Sequence, residues 1–468
     1  RLAAAIAERE RTLDAFLERE SERLARAGHH NARAFSRGGA LVAFGDGAAA
    51  TDAAHVAVEF MHPVIVGKRA LPALAPPSDP TGASAPARLL RPDDVALVLC
   101  HGPADEGALE TMSVARRRAA LTIAMTGAEA APDCDYAFAV PSADPEIVQE
   151  VQETAYHVLW ELVHVFFEHP GLLDDACITC GDVAVEAEVV ELRGASAIIE
   201  RDGAREEVAA ELVPGLAVGD RVLCHAGVAL ERLDGGPVPA DAPAPPADDE
   251  LPEAGAAPPP PAGDDDPSGF LYPFLGAEEH DLDSVLADVR ASTLRKGRDV
   301  TELRRGSDPA AIERCAAAIR ERLERGGRLI AFGNGGSSTD AQDVVGDALA
   351  RGWPAVALTN DVATVTAVGN DVGFENVFAR QLIALARPAD VALAISTSGS
   401  SPNVVAALEE AHRRGMLSVA ITGYDGGRLA QLDWLEQLLI VPSDYVPRLQ
   451  EAHATMYHLM LDSVGEPG

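Results

Sequence analysis

At 468 residues the chain exceeds what one hydrophobic core usually serves, so several domains are expected. An apolar fraction of 47% beside 24% charged residues is that of a folded soluble protein, and no stretch reaches the roughly 18 apolar residues of a membrane span. A formal charge of -35, with Lys68 and Lys296 the only lysines, argues against a broad phosphate-backbone contact and so against a nucleic-acid partner. Six cysteines make no disulfide framework in so long a chain, and without a charged-then-apolar leader the expected compartment is the reducing cytoplasm.

In chain order, apolar strands at Leu41 to Phe44, Val95 to Leu99 and Leu121 to Met125 alternate with helical patterns, which predicts a doubly wound α/β domain over residues 1–170 with a parallel sheet covered on both faces. Residues 177–232 change character: short alternating runs such as VAVEAEVVEL and SAIIERDG, broken by turn signals at Arg193-Gly194 and Asp202-Gly203, predict a compact β module. Residues 233–268 are rich in Pro, Ala and Asp and read as an extended, solvated linker. Residues 269–468 return to the first pattern.

The two ends repeat one another. RPDDVALVLCHG from Arg91 aligns with RPADVALAISTSG from Arg387, a spacing of 296 residues that also relates LTIAMTG to LSVAITG. ALVAFGDGAAATDA matches RLIAFGNGGSSTDA at 288, and QEVQETAYH from Gln149 matches QEAHATMYH from Gln450 at 301. The drift predicts insertions in loops of the second copy.

In the second copy, AFGNGGSSTDAQ sets glycines and hydroxyls between a strand and a helix, where backbone N–H groups and the helix N-terminus face an anion. Ser396-Thr397-Ser398-Gly399-Ser400-Ser401, followed by Pro402 and a helix, offers a second set of hydroxyls able to hold a phosphate without lysine. Ordinary strand-to-helix turns with capping serines remain the plain alternative.

These segments, with RLQEAHATMYH, resemble the phosphoheptose isomerase branch of the sugar-isomerase (SIS) family. The resemblance implies a sugar-phosphate ligand held by Asn334, Gly335, Ser337, Ser338, Ser396, Thr397, Ser398 and Ser401. It also implies a zinc set of His, Glu, Gln and His for aldose–ketose isomerisation, which falls here on Asp343, Asp347, Gln450 and His458. Two of those four depart from the family pattern, with Asp343 in place of His and Asp347 in place of Glu.

The first copy is the complement. TDAAHVAVEF and QEVQETAYH supply His55, Glu59, Gln149 and His157, the whole quartet, with Glu59 and His157 at the catalytic positions as Asp347 and His458 are in the second copy. Imidazole, carboxylate and amide oxygen suit zinc or another divalent ion, although solvated polar positions on two amphipathic helices would give the same residues. The anion loops of this copy are eroded: Asp46-Gly47-Ala48-Ala49-Ala50 replaces Asn-Gly-Gly-Ser-Ser, and Cys100-His101-Gly102-Pro103 replaces the second loop. SIS domains pair about a twofold with sites at the domain interface. The two copies are therefore expected to pair, within the chain or in a homo-oligomer, and to share one composite site.

The central module, CITCGDVAVEAEVVEL with LVPGLAVGDRVLCHAGVALERL, resembles the HypC/HupF family of small β-barrel chaperones of nickel–iron hydrogenase assembly. That resemblance implies transient iron at Cys177 and His225, and a hydrogenase large-subunit precursor or maturation factors as partners. Cys177 is internal here, whereas the family's cysteine follows the initiator Met. Three readings follow: a sugar-phosphate-binding accessory protein of hydrogenase maturation, a metal-dependent phosphosugar aldose–ketose isomerase, and a ligand-sensing scaffold without catalysis.

Overall fold

In the computed structural model the described residues are all but 1, 46, 64–67, 77–87, 105, 129–131, 169–172, 174–184, 194–195, 202–203, 211–212, 214, 226–227, 234–281 and 468. The predicted linker thus lies almost wholly outside them, as do Asp46 and Cys177. Contacts divide the chain into two compact units: one holds residues 1–64, 71–162 and 286–468, and the other 65–70 and 163–285.

The first unit contains both repeats. In chain order the first is α1 (Leu2–Ser36), β1 (Leu41–Gly45), α2 (Ala49–Met61), β2 (Ala73–Leu74), β3 (Val95–Leu99), α3 (Glu106–Arg117), β4 (Leu121–Thr126), β5 (Tyr136–Ala139) and α4 (Pro145–Glu168). The other unit carries β6 (Val185–Arg193), β7 (Ser196–Arg201), β8 (Ala204–Ala209), β9 (Arg221–His225) and β10 (Val228–Arg232). The second repeat follows as α5 (Leu282–Gly306), α6 (Pro309–Glu324), β11 (Leu329–Gly333), α7 (Gly336–Ala350), β12 (Ala355–Ala357), α8 (Val362–Asp371), α9 (Val377–Leu385), β13 (Val391–Ser396), α10 (Pro402–Arg413), β14 (Leu417–Thr422), β15 (Gln437–Ile440) and α11 (Val446–Val464).

Both repeats are five-stranded parallel sheets of the same order, β2-β1-β3-β4-β5 and β12-β11-β13-β14-β15. Their three central strands are almost wholly buried, because helices cover both faces and alternate side chains feed two cores, while the edge strands are part-exposed. Leu329, Ala331, Leu393, Ile395, Val419 and Ile421 point to one face, where Val344, Leu449 and Tyr457 meet them. Ile330, Phe332, Ala392, Ala394 and Ala420 point to the other, against Phe378, Leu382, Val404 and Leu408. The drift from 288 to 296 falls between β11 and β13, the stretch that in the second copy carries β12, α8 and α9.

The repeats are joined by exchanged helices. Leu2 and Ile6, at the start of α1, pack in the core of the second copy with Ile312 and Ile319 of α6. Arg9 of α1 reaches Glu150 of α4 at 2.7 Å, Arg305 of α5 reaches Glu10 at 2.8 Å, and Lys296 of α5 pairs with Glu161 of α4. In α11 nearly every residue from Pro447 to Leu461 is buried, including Arg448, Gln450, Glu451, His453 and His458. Burial of so many polar groups demands partners or a function, since each unpaired one costs about 1–3 kcal/mol.

In the second unit β6 to β10 pair in the cycle β10-β8-β7-β6-β9 and back to β10, a small barrel such as the HypC/HupF resemblance implies. Val189, Ile199, Val208, Val222 and Cys224 fill it. Cys224 is a core thiol, pushed up to about 11 by burial and then by Glu206. His225 ends β9. Among the described residues, no helix is long and apolar enough to cross a membrane.

Candidate functional site

The carboxyl ends of β11 and β13 carry the two Ser/Thr loops, where an open parallel sheet places its ligands. Asn334 and Asn403 tie the loops together by exchanging amide hydrogen bonds of 2.9 and 2.8 Å. Within the second loop Gly399 takes a positive φ of 60°, its N–H donates to the carbonyl of Ser396 at 3.1 Å, and Ser396 Oγ lies 3.5 Å from Ser401 Oγ. Ser337 and Ser396 are buried, while Asn334, Ser338, Thr397, Ser398 and Ser401 are half-buried and Gly335 is exposed. The first loop ends at Gly336, the opening residue of α7. A Cβ there would overlap Gln450 Nε2 and stand 2.6 Å from Nε2 of His55. The hydroxyl-rich loop of the second copy therefore abuts a histidine of the first.

Around His55 the structure assembles side chains from three helices. His55 and Glu59, four residues apart on α2, face each other with Nε2 3.7 Å from the Glu59 carboxylate. Gln450, from α11 of the other copy, places Nε2 2.9 Å from His55 Nε2. The imidazole of His157, from α4, stands 5.3 Å from that of His55, centroid to centroid. Tyr156 Oη is 3.1 Å from His55 Nδ1, and Glu451 of α11 accepts a 2.9 Å hydrogen bond at His157 Nδ1. With Nδ1 so engaged, the lone pair of His157 sits on Nε2, the arrangement of a metal-ligating histidine backed by a carboxylate. His157 Nε2, Glu59 Oε2 and Gln450 Oε1 are all buried with no hydrogen-bond partner. Among the described residues, the ligand atoms that come within 4.8 Å of one another, close enough to hold a metal ion together, are those of His55, His157 and Glu153.

Gln149 does not join this group, contrary to the expected quartet. Its amide donates to Asp52 at 3.4 Å, and Gln450 takes the expected place. The reason is helical geometry: eight residues separate Gln149 from His157, about 12 Å along one helix, too far for both to close on one ion. A carboxylate that the sequence reading missed stands nearby, for Glu153 offers an oxygen within 4.8 Å of ligand atoms of His55 and His157. Its counterpart in the second copy is Ala454. Comparison of the two copies position by position, rather than motif by motif, would have found it.

The electrostatics suit cation binding. Burial disfavours charge on His55, but Glu59, Asp340 and Asp52 outweigh it and raise its pKa. Glu59, although buried, is held below the usual carboxylate range by His55 and His157. Burial and the neighbouring His55 push His157 down to about 3, so it stays neutral. Glu153 is pushed well up by burial and then by Asp340, Glu451 and Asp52. Burial raises Asp340 to about 7. A site so crowded with carboxylates favours an incoming positive charge.

The mirror-image position lacks the histidine of α2, although His458 Nε2 and Asp347 Oδ2 are buried there without a hydrogen-bond partner. Asp343, where the pattern calls for His, accepts a hydrogen bond from Thr51 Oγ1, and His458 Nε2 faces Asp347 at 3.5 Å while its Nδ1 bonds Glu150 at 2.8 Å. His101, from the eroded loop, lies 2.6 Å from Asp52. Where the live cradle has Gly336, the first copy has Ala48.

The SIS domain family matches residues 6–127 and 296–423, together more than half of the chain, and the HupF/HypC family matches 183–237. A phosphoheptose isomerase of Geobacter sp. (strain M21) is 40% identical over 186 residues, covering 38% of this chain and 95% of that protein. The enzyme of the same description from Geotalea daltonii is 45% identical over 150 residues, 31% of this chain and 77% of that one. Among solved structures, the C-terminal domain of glucosamine-fructose-6-phosphate aminotransferase from Francisella tularensis superposes over 99% of this chain and 96% of its own, with a TM-score of 0.54 and 7% identity, a likeness of fold alone.

Proposed function

We propose, from the premise that this chain belongs to the SIS domain family, that it binds a phosphosugar and a divalent metal at one composite site and interconverts aldose and ketose there. The observation that carries this reading is the abutment of Gly336 on His55 and Gln450, which brings the retained anion loops of one copy to the retained metal-type residues of the other. The phosphate docks on the N–H groups and hydroxyls of the loops at Asn334–Ser338 and Ser396–Ser401, with the N-terminus of α7 contributing its positive end. His55, Glu59, His157 and Gln450 would hold the metal, with Glu153 within reach of both imidazoles, zinc being the best match to two imidazoles with oxygens; it would supply polarisation of the sugar's carbonyl and hydroxyl oxygens. Because amide oxygen and nitrogen exchange by a half-turn, Gln450 can present its oxygen. Glu59, ionised and buried, is placed to carry the proton between adjacent sugar carbons, and Glu451 keeps His157 in the tautomer with Nε2 bare. Asp343, Asp347 and His458 take no part in this site.

Phosphorylated heptoses and hexoses are expected to raise the melting midpoint of the full chain, by about 2.7 kcal/mol of stability at a hundredfold excess over Kd, and unphosphorylated sugars to do little. Ser398→Ala combined with Ser401→Ala should erase both that shift and isomerase activity, and a shift that survives would remove the phosphate assignment. Metal affinity should fall on acidification, because proton and metal compete for His55. With its pKa raised, the decline starts above about pH 6.5 and runs at roughly tenfold per unit, while His157, near 3, adds nothing until far lower pH. Chelator competition from pH 8 to 5.5 measures it, and a flat profile would place the metal elsewhere.

The HupF/HypC match favours a second reading, in which this chemistry serves nickel–iron hydrogenase maturation and the barrel passes iron at Cys177 and His225 to a large-subunit precursor. None of the described cysteines, 100, 134, 224 and 315, is in a disulfide, in keeping with a cytoplasmic setting.

A further inference from the structure

At the opposite edge of the first sheet, where β4 and β5 begin, a cavity of 710 Å³ opens between α1 and α3. The internal repeat explains why it is there. Gly39 donates its N–H to the carbonyl of Ala34 at 3.0 Å just as Gly327 does to that of Arg322 at 3.1 Å, so Ala34 and Arg322 are counterparts. Arg322 spans this position in the second copy, with Nη1 donating to the carbonyls of Pro388 at 2.7 Å and Gly415 at 3.1 Å. The backbone around it keeps two features in both copies. Asp135 caps the backbone N–H of Thr122 at 2.9 Å as Glu436 caps that of Ser418 at 2.9 Å, and Ala119 keeps the positive φ of Gly415. The first copy has lost the plug, with Ala34 for Arg322, and also a filler, with Ala120 for Met416.

Arg33 and Arg116 replace Glu321 and His412 of the second copy, and Arg37 keeps the place of Arg325. Arg33, Arg37 and Arg116 line it, together with Tyr136, whose hydroxyl is 2.8 Å from His30 Nδ1. His30 is held below the ordinary imidazole value first by its burial and then by His29 and Arg33, with Asp135 opposing them. The acidic groups facing the cavity are Asp93, 4.0 Å from Arg37, and Asp135, already occupied with Thr122; Asp133 pairs with Arg116. Those arginine pairs are exposed and therefore weak, so a dianion displaces them at little cost.

We propose that this cavity binds a small phosphorylated molecule with a planar or apolar body, its phosphate held by Arg37 and Arg116 and its body against Tyr136. Guanidinium forks match phosphate oxygens, and the volume lies in the range of about 300–1,000 Å³ usual for small-molecule sites. The site lies at the far end of the strands from the composite site, and its occupancy does not depend on the reading of that site.

Calorimetry on the full chain tests it, with Ser398→Ala and Ser401→Ala present to silence the Ser/Thr loops, and with AMP and adenosine as probes. AMP should bind, adenosine at least about tenfold more weakly, because the charge-assisted bonds to phosphate are lost. Ala34→Arg restores the plug of the second copy and should weaken AMP at least about tenfold, as should Arg37→Ala with Arg116→Ala. The second pair is exposed, so it decides the matter even if the plug variant fails to fold. No AMP binding in this background, or AMP affinity unchanged by the arginine pair, overturns the proposal.

Discussion

Replacing Gly336 by alanine should cost the full chain about 10- to 100-fold in metal affinity, and with it phosphosugar turnover, while leaving the protein folded. Helix propensity alone points the other way, since glycine inside a helix is roughly 0.5–1 kcal/mol worse than alanine. The new Cβ would overlap Nε2 of Gln450, the movable end of a long side chain, and stand 2.6 Å from Nε2 of His55. Gln450 can swing aside at small cost to the fold. In doing so it leaves His55, and the anion loop is held off the metal position. The equivalent position of the first copy already carries this substitution as Ala48, so Ala48→Gly should change neither metal content nor activity. Metal content by elemental analysis, read beside the melting midpoint, distinguishes this outcome from simple unfolding; unchanged metal in Gly336→Ala would dissolve the composite site.

The sheets and the repeat were legible because buried parallel strands write themselves as apolar runs, and LVAFG and LIAFG sit where β1 and β11 form. The loops were legible for a similar local reason, as glycine and hydroxyl clusters between a strand and a helix. Partnership across the copies was not, because the offsets 288, 296 and 301 relate equivalent positions and are silent about which equivalents touch. Hence the family resemblance groups Gln149 with His157, although it is Gln450 that faces His55. Glu153 escaped because no family motif marks it, and its meaning arises only when α4 is packed beside α2 and α7. Exchange of α1 between cores was equally hidden, since Leu2 and Ile6 look like any amphipathic helix start until their neighbours are known.

The two glutamines turn that correction into the sharpest test of the site. They are equivalent by repeat and alike in chemistry, and both are buried, at 5% exposure for Gln149 and 2% for Gln450. Sequence logic gives them the same role, each with its own copy. The structure separates them, because α11 carries Gln450 to His55 and carries Glu451 to His157, so both the first-copy imidazoles are served from the second copy. Gln149 instead donates to Asp52, on the side where Thr51 bonds Asp343. Gln450→Ala should therefore lower metal affinity about 10- to 100-fold or more, the range for partners of metal ligands and a floor for a ligand itself. Gln149→Ala should stay within about twofold, its loss confined to a long neutral hydrogen bond worth about 1 kcal/mol of fold stability. His55→Ala and Gln450→Ala together should be no worse than His55→Ala alone, as expected for groups on one ion and not for independent sites. Chelator competition on the four variants supplies the numbers. Equal losses at Gln149 and Gln450 would mean two sites, and a loss at Gln149 alone would return the metal to the single-copy quartet that the sequence predicts.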